Sequence, residues 1–359
     1  LYPRLLPLLM GRFQLRQLRI AAPEAYLSLN TKPELKKIPD ANLQDTKNIA
    51  AILTILHATA GSANVEVTNG LFAFVDQNRT IFGFSGITIQ KAGRQKDVFM
   101  TARTNFSETF QMQASFDPVY QNTQGTISIN GLKPHLLTPY FFPSAALHLT
   151  DSKMNLDINF KADRKGNVKA SLTSNQATFT LSEKKRQYQF SIKKLIATYI
   201  FENGRQELAI DPFEFLSPRF VMSANLTASA PVQNKKPTIT LMLTGNDIDV
   251  KTMRAIALDL FGDFRLTKKL VRILKSGHVK LLKIGLKGSS LKSLGEGPDN
   301  FELSGKIEEG QVLVPNIDWT LNKVYGDVTF KTNLLSGQNI RAHYGALRGH
   351  NGTLRFDFK

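Results

Sequence analysis

The 359-residue chain contains no cysteine, which excludes a disulfide framework and any metal site built on thiolates. It also has no uninterrupted apolar run of about 20 residues, the length that a membrane-spanning helix requires. The opening segment LYPRLLPLLMGRF is apolar, but Pro3, Arg4 and Pro7 interrupt it. Neither absence assigns the chain to a cellular compartment.

Recognisable catalytic motifs are also missing. The sequence has no HExxH zinc motif, no GxSxG nucleophile elbow and no glycine-rich phosphate loop. The adjacent acids Glu308 and Glu309 lie in a predicted strand, where neighbouring side chains point to opposite faces and cannot flank one scissile bond. We therefore predict a protein that is not an enzyme and has neither metal nor cofactor. The histidines show no pair at metal-ligand spacing: His57, His135, His148, His278, His343 and His350.

Acidic residues are in the minority, because 46 Lys and Arg face 29 Asp and Glu, which gives a net charge of +17. Residues 265–292, here called the basic belt, contain nine basic residues and no acidic one. Such a belt suits anionic lipid head groups, polysaccharide or nucleic-acid phosphates, and a solvated face has the same composition. The candidate contacts for a head group or another polyanion are Lys268, Lys269, Arg272, Lys275, Lys280 and Lys283.

The dominant hydrophobic period along the chain is two. Runs such as TISIN, NLDINF, YQFSI, TITLML and TLRFDF place apolar side chains on one face and polar side chains on the other. Four Asn-Gly pairs, at residues 69–70, 130–131, 203–204 and 351–352, indicate turns between strands. This pattern predicts a mainly β chain built on a long antiparallel sheet.

Two stretches have helical spacing instead. The first runs from Asp45, a possible helix cap, to Gly61. The second covers residues 249–277 and is expected to form two helices divided near Gly262, with a basic face opposite an apolar one. We expect the second pair to cover one end of the sheet rather than to lie on a membrane.

The glycine pattern near the C-terminus resembles that of AsmA-like proteins, particularly the YhdP branch. It lies in GKIEEGQVLVPNIDWTLNKVYGDVTF and LLSGQNIRAHYGALRGHNGTLRFDF, where the matching positions are Gly305, Gly310, Pro315, Gly326, Gly345, Gly349 and Gly352. The start, LLPLLMGRFQLRQLRIAAPEAYLSLN, is similar to the family's N-terminal region. The positions that fit there are Gly11, Leu15, Leu18, Ile20, Pro23 and Leu27.

The resemblance implies the architecture of a bridge-like lipid transporter. In that architecture a long, strongly curved antiparallel sheet of the repeating β-groove type forms an elongated apolar groove. In this chain we expect two or three short helices, as the helical spacing indicates, to cover an end of the sheet. Phospholipid acyl chains lie along the groove, and head groups stay in water. The resemblance also implies a periplasmic protein of a Gram-negative envelope, anchored to the inner membrane through a helix upstream of Leu1. Outer-membrane or periplasmic envelope proteins are further expected partners, and nucleic acid is not.

Five segments follow from these patterns. They are an N-terminal strand segment (1–38), an amphipathic helix (39–62), an antiparallel β-groove (63–246), basic amphipathic helices (247–277) and an AsmA-like C-terminal β module (278–359). The residues predicted to line the groove are the apolar members of the alternating runs. They are Ile127, Ile129, Leu156, Ile158, Phe160, Phe179, Leu181, Phe190, Ile239, Leu241, Leu243, Val328, Phe330 and Phe356.

Alternatives remain open for both the fold and the function. A β-sandwich would bury the same apolar residues against a second sheet. AsmA-like proteins have been associated with outer-membrane protein assembly, so an assembly factor that carries no lipid is one alternative function. A polyanion-binding β protein that uses the basic belt is another. The single tryptophan, Trp319, is expected to pack beneath a turn as a hydrophobic anchor.

Overall fold

The computed structural model describes the residues that form two compact units. One unit comprises Leu1–Phe141 with Lys153–Leu172, and the other comprises Phe142–Ser152 with Thr173–Lys359. The predicted helix of residues 39–62 lies outside the described residues. The described residues are 2–3, 15–28, 63–76, 79–93, 96–117, 119–138, 148–183, 186–229, 237–261, 265–290, 293–297, 299–314, 317 and 319–357.

Long strands make up most of both units. Those of the first are β1 (Tyr2–Pro3), β2 (Leu15–Ala21), β3 (Glu24–Ser28), β4 (Asn64–Asp76), β5 (Arg79–Lys91), β6 (Asp97–Thr104), β7 (Thr109–Asp117) and β8 (Asn122–Leu132). The hairpin of β9 (His148–Ala162) and β10 (Val168–Glu183) contributes residues to both units. The strands of the second unit are β11 (Arg186–Glu202), β12 (Arg205–Ser217), β13 (Arg219–Ser229), β14 (Thr238–Asp249), β15 (Leu274–Gly288), β16 (Phe301–Val314), β17 (Trp319–Lys331), β18 (Leu334–Tyr344) and β19 (Leu347–Asp357).

Successive strands are antiparallel neighbours from β4 to β9 in the first unit and from β11 to β19 in the second. The prediction of a mainly β chain, built on a long antiparallel sheet with short helices, is confirmed, and the sheet is open. The N-terminal strands depart from it, because β2 and β3 pair with β4 in parallel. Residues 29–63 join β3 to β4, a connection long enough for the crossover that parallel pairing requires.

Three of the four predicted Asn-Gly turns are wrong. Asn203 and Gly204 do join β11 to β12, but the other pairs lie inside β4, β8 and β19, next to register shifts. Asn69 and Asn351 have φ values of 53° and 54°, in the left-handed region. Asn and Gly adopt this conformation readily, and in a strand it forms a bulge that adds one residue and increases the twist. The strands are therefore longer than the turn signals indicated.

Two helices connect β14 to β15. They are α1 (Val250–Phe261) and α2 (Arg265–Ile273), which agree with the predicted division near Gly262. The carboxylate of Asp249 accepts a hydrogen bond of 2.7 Å from the backbone N–H of Thr252. Hydrogen bonding by Thr252 lowers the pKa of Asp249, so the ionised carboxylate caps the start of α1. The predicted helical boundary at Gly277 is wrong, because β15 already begins at Leu274.

Two glycines approach each other closely near the start of β15. A Cβ atom on Gly277 would lie 2.6 Å from the Cα atom of Gly310 on β16, and Gly277 has φ +117°. A side chain at Gly277 would therefore displace the β15–β16 backbone pair. A Cβ atom on Gly310, a glycine of the C-terminal pattern, would lie 2.7 Å from Cγ2 of Ile307, so packing accounts for this glycine without any catalytic role.

Candidate functional site

One face of the second unit carries an uninterrupted row of apolar residues. Direct cross-strand partners share one face of a sheet, so a chain of partners can be followed from strand to strand. Starting on β11 and ending on β19, every strand contributes one apolar residue, and each is registered opposite the next. This apolar row consists of Ala197, Ile210, Ala224, Leu243, Ile284, Leu303, Phe330, Leu335 and Phe356.

The apolar row runs across the strands rather than along them. Neighbouring strands lie about 4.8 Å apart, so the eight steps of the row extend about 38 Å along the sheet. A second row lies beside it on the same face, two residues further along each strand. Its members are Tyr199, Leu208, Leu226, Leu241, Leu286 and Phe301.

The neighbouring residues form a polar row on the opposite face. Thr244 stands beside Leu243, Ser304 beside Leu303 and Thr329 beside Phe330. Because side chains alternate along a strand, these polar partners point away from the apolar row. The polar row consists of Ser223, Thr244, Lys283, Ser304, Thr329, Ser336 and Arg355.

The first unit has the same arrangement on a smaller scale. Its own row of direct partners crosses β4 to β9 and consists of Val67, Ile89, Met100, Met112, Ile127 and Ile158. Beside this row, Phe160 is paired with Gly125, and a Cβ atom on Gly125 would lie 2.9 Å from the Phe160 ring. The glycine thus leaves the space that the Phe160 ring occupies.

Exposure distinguishes two parts of these faces. Of the fourteen predicted lining residues, Phe190, Ile239 and Phe330 are buried, with 5%, 5% and 3% of their surface exposed. The other eleven are half-buried. A β-sandwich of the kind considered above would bury nearly all of them against a second sheet. The faces are therefore only partly covered, which leaves apolar surface accessible to a ligand.

The covered part lies where α1 and α2 pack on β14, β15 and β16. Ile256 from α1 and Ile273 from α2 are buried, with 7% of each exposed. The prediction that the helices cover an end of the sheet agrees with this packing. Ile273 belongs to a buried cluster whose other members are Val312, Val324, Phe330 and Leu335.

Phenylalanine clusters stabilise the apolar faces, and the sequence interpretation missed most of their members. In the second unit, Phe215 lies 4.3 Å from Phe220 and 5.8 Å from Phe190, measured between ring centroids. In the first unit, Phe84 contacts Phe106 and Phe110 edge to face, at 5.6 Å and 5.3 Å. Alternating phenylalanines in FAFV, IFGF and PFEF were the available signal.

A carboxylate fastens α1 to a distant strand. Asp259 on α1 accepts hydrogen bonds from the guanidinium of Arg186, at 2.8 Å, and from the hydroxyl of Tyr188, both on β11. Burial of the ring, and then the hydrogen bond to Asp259, raises the pKa of Tyr188. The phenol therefore stays protonated and remains a donor. The helix is held at both ends, by the Asp249 cap and by this contact.

Removing the Asp259 contact should release the end of α1. In Asp259→Ala, we expect hydrogen–deuterium exchange of the backbone amides in residues 255–261 to become several-fold faster, because the helix loses its link to β11. Lys251→Ala, an exposed position on the same helix, is the control and should leave exchange unchanged. Equal exchange in the Asp259 variant and the wild type would show that packing alone holds the helix.

The predicted basic contacts do not form one helical face. Lys268, Lys269 and Arg272 lie on α2, whereas Lys275, Lys280 and Lys283 lie on β15. Lys280 forms an ion pair of 3.0 Å with Asp247, and this partner raises the pKa of Lys280. Lys283 belongs to the polar row. The belt is thus divided between a helix and the polar face of a strand.

Trp319 is not buried beneath a turn, and that prediction is wrong. Trp319 is 49% exposed, and its indole ring stacks on Tyr344 with the ring centroids 4.8 Å apart. The adjacent acids Glu308 and Glu309 have different neighbours. Glu308 is the direct cross-strand partner of His278, and the carboxylate of Glu309 accepts a hydrogen bond from the hydroxyl of Tyr325. Within the described residues no cluster of His, Asp and Glu could hold a metal ion.

Comparisons with known proteins give no relative. No protein-family model matches the chain, and no curated protein or solved structure shows significant similarity to it. The resemblance to AsmA-like proteins therefore stays a prediction. In the part of the chain that the structure describes, no helix has both the length and the apolar character needed to cross a bilayer.

Proposed function

We propose that the protein binds phospholipid acyl chains along the apolar face of each unit and conducts them across the periplasm, between the inner and outer membranes of a Gram-negative envelope. The observation that supports this proposal is the apolar row. It provides one apolar residue per strand over nine consecutive strands, and most of its members are only half-buried. The periplasmic location and the inner-membrane anchor rest on the AsmA-like sequence resemblance.

The energetics favour retention of a lipid tail without fixing it in place. Each methylene that leaves water for the apolar face gains about 0.8 kcal/mol, so several methylenes suffice to hold a tail. The contacts are non-directional, because no member of the row donates or accepts a hydrogen bond through its side chain. A tail that moves from one strand to the next therefore exchanges like for like. Such movement requires no catalytic residue.

The polar row keeps the other face in water. Thr244, Ser304 and Thr329 stand next to members of the apolar row but point the other way. A phospholipid tail should therefore bind the apolar face rather than the polar face, because covering the polar face would remove hydroxyl and charged groups from water, which costs free energy. The same alternation provides matched control positions for an experiment.

Retention of lipid through purification tests the proposal. The protein, expressed in a Gram-negative host, is analysed by native mass spectrometry and by organic extraction. We expect bound phospholipid in the wild type and at least a tenfold loss in the triple variant Ile158→Asp, Leu243→Asp and Leu303→Asp. An ionised carboxylate on the face costs several kcal/mol when a tail covers it, and about 1.4 kcal/mol already gives a tenfold change in affinity.

The control moves each new charge one residue along its strand. In the variant Asn159→Asp, Thr244→Asp and Ser304→Asp, all three carboxylates lie on the polar face, so lipid should be retained. Circular dichroism and a urea titration establish that both variants are folded. A folded wild type without lipid, or equal loss in the two variants, would contradict the proposal. The apolar faces would then serve only as a partly covered core.

A further inference from the structure

Four exposed apolar side chains lie at one end of strands β17, β18 and β19 in the second unit. We call Ile317, Trp319, Tyr344 and Leu347 the aromatic tip. Their exposed fractions are 52%, 49%, 41% and 71%. Trp319 and Tyr344 stack on each other with an interplanar angle of 25°, and Tyr344 is the direct cross-strand partner of Leu347.

The aromatic tip continues the apolar face beyond its buried part. Leu321 and Ala342 pack against the cluster that contains Val312 and Val324. Trp319 and Tyr344 lie two residues further along the same strands, and residues two apart share a face. The face therefore passes from a buried cluster to open aromatic rings. Large apolar groups that stay exposed and adjacent are typical of an interaction surface.

The described strand segments that carry Trp319, Tyr344 and Leu347 are basic. Residues 319–326 and 338–352 contain no Asp or Glu, and their basic residues Lys323, Arg341 and Arg348 are all exposed. His343 is the direct partner of Arg348. Asp318, the nearest acid in the sequence, lies outside the described residues. Because side chains alternate along a strand, His343 and Arg348 lie on the face opposite to Tyr344 and Leu347 at the same end of the hairpin. A hairpin that meets a surface end-on therefore presents apolar groups on one side and cations on the other, which complements an anionic surface that has an apolar interior.

We propose that the aromatic tip docks on the surface of a bilayer that contains anionic phospholipid. Indole and phenol rings favour the head-group level of a membrane, where the ring is apolar and its N–H or O–H stays hydrated. Leu347 enters the acyl region beside the rings, and Lys323, Arg341 and Arg348 contact the lipid phosphates, the two arginines from the opposite face of the same hairpin. This docking does not depend on lipid conduction, because a sheet that carries no acyl chain could dock in the same way.

The chain provides its own reporter, because Trp319 is its one tryptophan. Tryptophan emission is recorded while the 359-residue protein is titrated with vesicles of phosphatidylglycerol and phosphatidylcholine in a 3:1 ratio. We expect a shift of the emission to shorter wavelength, quenching by lipids brominated on their acyl chains, and weaker binding at higher salt. Short-chain phosphatidylcholine below its micellar concentration should leave the emission unchanged, which separates docking from uptake of single lipids on the sheet.

Two variants test the two components of the surface. Leu347→Asp and the pair Arg341→Glu with Arg348→Glu should each weaken co-sedimentation with these vesicles at least tenfold. The matched control is Val119→Ser with Tyr120→Ser, which removes an exposed aliphatic and aromatic pair from the β7–β8 turn. The control should bind like the wild type.

Three outcomes would overturn the proposal. The first is an unchanged emission spectrum together with no co-sedimentation. The second is equal binding to vesicles of pure phosphatidylcholine, which would remove the role of the cations. The third is a shift that depends on protein concentration without vesicles, which would assign the tip to contact between copies of the chain.

Discussion

Replacing Phe330 by alanine should lower the free energy of unfolding by about 3–5 kcal/mol, the usual cost of removing a buried phenylalanine ring. Phe330 is 3% exposed and lies between its direct partners Leu303 on β16 and Leu335 on β18. Its ring also meets Phe301 edge to face, with centroids 5.7 Å apart. Because α2 and three strands surround it, the site cannot close around the cavity without moving several elements.

The measurement is urea unfolding of protein from which lipid has been extracted. Extraction matters because a ligand that binds only the folded state adds to the apparent stability. Thr329→Ala is the control on the same strand, since Thr329 lies exposed on the polar row and should change stability by less than about 0.5 kcal/mol. A loss below about 1 kcal/mol for Phe330→Ala would mean that this part of the face is not a packed core.

Much of the fold could be predicted from the sequence because it depends on local alternation. A period of two fixes both the strand and the face on which each side chain lies, so Leu243 and Phe330 could be assigned to one face before their strands were paired. The ends of the strands were harder to predict from the sequence than their faces. An Asn-Gly pair has the same left-handed preference in a hairpin turn and in a bulge, and only the pairing partner distinguishes Asn69 in β4 from Asn203 in a turn.

The candidate site could be predicted only in part, for a related reason. Alternation identifies apolar residues but does not show what covers them, so the buried Phe190 and the half-buried Phe179 looked alike. Contacts between distant segments were invisible, as in the link between Asp259 and Tyr188. The neighbouring turn signals predict Trp319 as an anchor beneath a turn, but they do not show its stacking partner Tyr344, which lies on another strand.

A single charge in the middle of the apolar row should separate lipid conduction from lipid binding. In Leu243→Asp we expect the rate of phospholipid transfer between vesicles to fall more than tenfold, while the equilibrium amount of bound phospholipid falls much less. Leu243 is the fourth of nine members of the row, with Ala224 and Ile284 as its direct partners. Tails can still lie on the apolar stretches on either side, so occupancy is partly preserved.

The step that becomes slow is the movement of a lipid tail past the new carboxylate at position 243. A tail that slides over the substituted position must strip water from a carboxylate that has no partner, which costs several kcal/mol, and each 1.36 kcal/mol added to a barrier is about tenfold in rate. Transfer is followed by the dequenching of a labelled phospholipid that leaves donor vesicles, and occupancy by extraction. Thr244→Asp places the same charge one residue away on the polar row and should change neither quantity.

The ratio of the two losses identifies the mechanism. If tails slide along the row, transfer depends on its weakest step, so one interrupted strand dominates the rate even when most of the apolar surface remains. If the protein instead carries a lipid as a whole through solution, the rate follows occupancy, and both quantities fall by the same factor in Leu243→Asp. A proportional loss would therefore contradict conduction and leave binding intact, whereas a transfer loss several-fold larger than the occupancy loss requires movement from strand to strand.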